Sequence, residues 1–123
     1  MSKNFKIKST NTILYCQKWE ETVKFYQNTL KLTPSYTSDW FVEFQAAEGA
    51  YLSVADERRA TIKSNQGAGI TLTFRVADAD MIWHQLHEQG LELEPVKTHS
   101  WGARVFYFFD PEGHRLEIWS AES

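Results

Sequence analysis

One order of elements is written twice in this chain: an apolar strand, a helical stripe, then short strands closed by a hairpin. Adding 60 to the residue number carries Leu14 onto Phe74, Cys16 onto Val76 and Val23 onto Trp83. Near the hairpins the shift is 64, which carries Glu48-Gly49 onto Glu112-Gly113, Leu52 onto Leu116 and Val54 onto Ile118. Chance similarity between two α/β stretches is the alternative, but order, turn placement and facing residues all agree. A duplicated β-α-β-β-β unit leaves few folds open, because each half must bury one helix stripe on one sheet face.

In the first half, residues 12–16 read as a strand, with Thr12, Leu14 and Cys16 on one face and Asn11, Ile13 and Tyr15 on the other. Trp19, Val23, Tyr26 and Leu30 then recur at helical spacing, Glu20 and Glu21 suit the first turn, and Pro34 ends the helical stretch. Short strands are expected over 35–37, 41–45 and 50–54, with Glu48-Gly49 as the turn between the last two. Residues 56–69 connect the halves, with a short helical turn around 57–60. In the second half, a strand over 70–76 sets Ile70, Leu72, Phe74 and Val76 against Thr71, Thr73 and Arg75. Asp78 is the expected N-cap, Ala79, Ile82, Trp83 and Leu86 form the stripe, and Gly90 is the stop. Strands follow over 92–94, 103–109 and 115–119, with Asp110-Pro111-Glu112-Gly113 as the turn before the last.

If each helix covers one face of its sheet, the other face is available to line a cleft. Alternation puts Asn11, Ile13, Tyr15, Tyr51, Ser53, Thr71, Thr73, Arg75, Glu117 and Trp119 on that inner face, a polar and aromatic set suited to a small ligand. Trp40, Trp101 and Trp119 are the candidates for stacking on a planar molecule, Arg75 for a ligand carboxylate or for offsetting Glu117, and Glu117 for a general base. A satisfied internal network is the alternative for Glu117 and Arg75. His84 and His87 are expected on the outer helix face, His99 in a loop and His114 in a structural turn. Cys16 is expected as a buried, inert thiol.

A formal net charge of -3 leaves no electrostatic footprint for nucleic acid or an anionic membrane. The single cysteine rules out an intrachain disulfide, which fits a cytoplasmic location. Residues 1–8 carry lysines without a following apolar run, so no signal peptide is expected, and no apolar stretch is long enough to span a membrane.

From about residue 10 to 121 the chain resembles the glyoxalase, bleomycin-resistance and extradiol-dioxygenase superfamily, the vicinal oxygen chelate fold. The resemblance rests on the opening strand before Trp19-Glu20-Glu21, on Phe25-Tyr26 and Leu30, and above all on WGARVFYFFDPEGHRLEIW, residues 101–119. It implies an α+β fold (an α/β roll): a single domain over residues 8–121 whose two modules, 10–55 and 69–120, form curved mixed sheets around a cleft. It also implies that Asn11, Ser53, Thr71 and Glu117 stand where metal-dependent relatives hold one divalent ion. Only Glu117 keeps a carboxylate there; neutral oxygens are weak ligands for zinc, nickel or iron. The expectation is no metal cofactor, with one divalent ion as the alternative. The resulting reading is a binding protein for a small organic molecule, as a homodimer. The alternatives are a divergent lyase, isomerase or dioxygenase using Glu117 as base or ligand, and an interaction domain with a vestigial pocket.

Overall fold

The computed structural model describes residues 5–121, so the first four residues of the lysine-bearing amino-terminal stretch lie outside what is described. The chain divides between Ser64 and Asn65 into two compact units.

The first unit contains β1 (Thr10–Cys16), α1 (Trp19–Lys24), a π-helical turn (Phe25–Thr29), β2 (Thr33–Thr37), β3 (Phe41–Ala47), β4 (Ala50–Asp56) and a 3-10 turn (Glu57–Arg59). Its four-stranded mixed sheet has the order β1-β4-β3-β2, with β1 parallel to β4 and the other pairs antiparallel. The parallel pair needs a crossover, supplied by the helix, whereas the antiparallel strands need only turns. At the β3–β4 turn Gly49 takes a φ of 74°, and its carbonyl accepts the Thr10 N–H at 2.8 Å.

Leu14, Cys16, Val42, Phe44, Leu52 and Val54 are buried on one sheet face, and Tyr26 is buried with its ring 6.3 Å from that of Phe44. The Trp19 indole N–H, donating to the Val54 carbonyl at 2.9 Å, ties the start of α1 to the sheet. The expected single stripe of Trp19, Val23, Tyr26 and Leu30 is modified. The α-helix gives way at Phe25 to a wider turn, with the Leu30 N–H reaching the Phe25 carbonyl. Thr22, not Val23, is the fully buried partner of Tyr26 one turn on. It fits there because its hydroxyl donates to the Lys18 carbonyl at 2.7 Å.

The second unit contains β5 (Thr71–Arg75), α2 (Ala79–Glu88), β6 (Lys97–His99), β7 (Ala103–Phe109) and β8 (Arg115–Ala121), and its sheet order is β5-β8-β7-β6. This is the same order, with the same parallel first pair, as in the first unit. The two four-stranded mixed sheets with few helices are the α+β architecture that the resemblance implies. Asp78 caps α2 by accepting the Met81 N–H at 3.1 Å, and Gly90, at a φ of 88°, ends it. The core is Leu72, Ala79, Leu86, Phe106, Phe108, Leu116 and Ile118. Ile70, assigned to β5 from its pattern, lies just before that strand and is 51% exposed.

The strand expected over 92–94 is not formed; the fourth strand of this sheet is β6. The Glu94 N–H makes one 3.4 Å bond to the Tyr107 carbonyl, but the Glu94 carbonyl is taken by the Trp83 indole at 2.9 Å. Pro95, which follows, has no N–H to continue a ladder.

The closing turn is organised by Asp110. Its Oδ1 accepts the N–H groups of Glu112, Gly113 and His114 at 3.0, 3.0 and 2.9 Å, and its Oδ2 lies 2.8 Å from His114 Nδ1. Gly113 has a φ of 106°, and a Cβ there would stand 2.6 Å from the Gln66 carbonyl oxygen, so glycine is required on both counts. His114 is buried in this turn, the structural role expected of it. His84 and His87 are exposed on α2, with His87 stacked on Trp83 at 4.7 Å.

Candidate functional site

Strand register assigns the open face of each sheet. In the first unit Asn11, Ile13 and Tyr15 of β1 stand beside Tyr51, Ser53 and Ala55 of β4, which face Gln45, Glu43 and Phe41 of β3. All lie opposite the face packed by α1. The centre of this face is a polar chain. Ser53 Oγ, fully buried, donates to Asn11 Oδ1 at 2.9 Å. Asn11 Nδ2 donates to Glu43 Oε2 at 3.4 Å, and Ser35 Oγ donates to Glu43 Oε1 at 2.7 Å. Ile13, 39% exposed, is the aliphatic side chain beside it. Trp40 sits apart, in the turn between β2 and β3, with its ring 5.4 Å from that of Phe41.

In the second unit Thr71, Thr73 and Arg75 of β5 stand beside Arg115, Glu117 and Trp119 of β8, which face Phe109, Tyr107 and Val105 of β7. Here the face is aromatic and cationic. The Arg75 guanidinium lies 5.0 Å from the centre of the Trp119 ring, and that of Arg115 lies 4.3 Å from the centre of Tyr107. Trp101, in the turn after β6, meets Trp119 edge-on at 5.5 Å, and His99 lies 5.7 Å from Trp101. Burial pushes the Tyr107 phenol above its usual pKa, and the Glu117 carboxylate directly across the β7–β8 ladder raises it further. The phenol therefore keeps its proton. A cavity of about 280 Å³ opens at the outer edge of this sheet, lined by Glu92, Leu93, Glu94, Tyr107, Phe108 and Phe109. It exists because β6 pairs only with the first half of β7, leaving Tyr107 to Phe109 flanked by irregular chain.

All ten residues assigned inward by alternation lie on the sheet face opposite the buried core residues, five per unit, with Ser53 itself fully buried, and Trp101 joins Trp119. Among the members of these faces that escaped the sequence reading are Glu43 and Tyr107. The repeat itself carries the signal: the shift of 64 that takes Ser53 to Glu117 also takes Glu43 to Tyr107. The two hold equivalent places, each directly across from one of that pair.

The oxygens at the four positions matched to metal ligands do not suit a transition ion. Ser53 and Asn11 are hydrogen-bonded to each other through the Asn11 oxygen a metal would need, and Glu117 is the one carboxylate of the four. Among the described residues no three His, Cys, Asp or Glu side chains gather as a ligand set. Cys16 is buried on the α1 side of its sheet, opposite the face that carries Asn11 and Ser53. No helix among the described residues is long and apolar enough to cross a membrane.

Comparison with known proteins agrees with this architecture. A curated relative, the uncharacterized protein YraH of Bacillus subtilis, is 25% identical over 114 residues, which cover 82% of this chain and 88% of YraH. A glyoxalase/bleomycin resistance protein/dioxygenase from Nocardioides matches with a TM-score of 0.78 at 21% identity, over all of this chain and 87% of that one. TnmS3, an antibiotic binding protein from Streptomyces sp. CB03234, matches with a TM-score of 0.76 at 20% identity, over 93% and 95% of the two chains. The model of the glyoxalase-like domain matches residues 9–123. With nearly its whole length in that match, this chain belongs to the glyoxalase-like domain family.

Proposed function

We propose that this protein holds a small planar aromatic molecule against Trp101 and Trp119 and does not turn it over. The observation that carries this reading is Trp101 itself. Its side chain is 61% exposed yet packed edge-on against a second tryptophan, leaving a large apolar ring face open beside a row of polar groups. Such a ring is a costly surface unless something covers it. The poor donor set at the metal-equivalent positions supports binding over metal chemistry, as does the fold's likeness to a protein described as antibiotic binding. The buried lone thiol suits a reducing cytoplasm. Exposed apolar side chains such as Phe109 support a homodimer, which light scattering reads directly.

Isothermal titration of chelator-treated protein against planar aromatic compounds, antibiotics among them, tests the reading. Saturable one-to-one binding is expected, weakened about tenfold or more by Trp119→Ala. An absence of saturable binding across the panel contradicts it. A second reading, a metal-independent enzyme with Glu117 as base, is favoured by the placement of that carboxylate directly across from Tyr107, whose phenol stays protonated. It requires a turnover that Glu117→Gln abolishes while binding persists.

A further inference from the structure

Resting on the reading above, we propose that the ligand is an aromatic acid whose carboxylate, or an equivalent planar anionic group, is selected by Arg75. The chain as a whole is acidic, with a formal net charge of -3. The open face of the second sheet runs the other way. Register places Arg75, Arg115 and Lys97 on it against one strand carboxylate, Glu117. Among the described residues no carboxylate lies within ion-pairing distance of the Arg75 guanidinium, which is exposed.

Arg75 is nonetheless positioned. It stands directly across from Trp119 in the parallel β5–β8 pair, and its guanidinium lies 5.0 Å from the centre of that ring. A guanidinium held by an aromatic ring keeps the N–H groups along its edge available for an in-plane, two-pronged bond to a carboxylate. Trp101 stands 5.5 Å from the same Trp119 ring. A flat ring resting on Trp101 with an acid group close to it can therefore reach Arg75, whereas a neutral or cationic ligand leaves that guanidinium unmatched. Arg75 is thus the specificity-determining residue of the face.

The test uses two probes of the same shape, 2-naphthoate and its neutral counterpart 2-naphthamide, titrated calorimetrically into the wild-type protein and Arg75→Gln. The expected result is that naphthoate binds the wild type about tenfold or more tightly than naphthamide. Arg75→Gln should reduce that preference to less than about twofold by lowering naphthoate affinity. Equal affinities in the wild type overturn the acid preference but leave aromatic binding standing. Binding of neither probe overturns both. Because the substituted side chain is exposed, Arg75→Gln should melt with the wild type. If it does not, Arg75→Lys provides the second measurement: a point charge that cannot make the two-pronged bond must lower naphthoate affinity, and unchanged affinity overturns the role given to the guanidinium.

Discussion

At the scale of single residues, Asp110 shows how one side chain fixes a turn that the rest of the second unit needs. Its carboxylate takes three consecutive backbone N–H groups and faces His114, and both side chains are almost wholly buried. Asp110→Ala strips partners from buried donors and should lower unfolding free energy by about 3 kcal/mol, read by urea denaturation. A loss under about 1 kcal/mol would mean that the turn is held by other groups. This turn was legible as Asp-Pro-x-Gly, because its chemistry is local. Glu43 and Tyr107 were not, because a residue's place on an open face depends on which strand it is paired with, and the pairing is long-range.

At the scale of elements, the sequence identified both helices and most strands because their stripes and turn residues carry the physics of burial. It misplaced the fourth strand of the second sheet. Glu92-Leu93-Glu94 alternates as a strand should, but the Trp83 indole claims the Glu94 carbonyl and Pro95 cannot donate. The break of α1 at Phe25 was equally hidden, since the register of a π-helical turn follows from the packing of Thr22 and Tyr26. α2 docks on its sheet partly through Asp80, which accepts from Arg104 of β7 at 2.7 Å. That guanidinium holds the Asp80 carboxyl below its usual pKa, against a smaller opposing effect of burial. Between the depressed folded value and the ordinary value near 4, the unfolded chain binds the extra proton. The contribution is therefore complete above about pH 4 and fades as pH falls through the folded value. Thermal melts from pH 7 to pH 3 should show a shallower acid-side decline for Asp80→Asn than for the wild type; parallel declines would contradict the assignment. The pair is substantially exposed, so the difference should be small.

At the scale of the whole molecule, duplication explains why so much of the fold was visible. Each half repeats one solution to burying a helix stripe, and the two copies agree in strand order and in the parallel first pair. What the halves do not share is the chemistry of their open faces. The first carries a neutral and acidic chain through Ser53, Asn11 and Glu43, and the second an aromatic and cationic one through Trp101, Trp119, Arg75 and Arg115. The crystal structure of the protein with its tightest-binding planar aromatic compound bears most directly on this account. The prediction is electron density for the ring against Trp101 and Trp119. Density instead in the edge cavity beside Leu93 and Phe109, with the tryptophan pair bare, would contradict it.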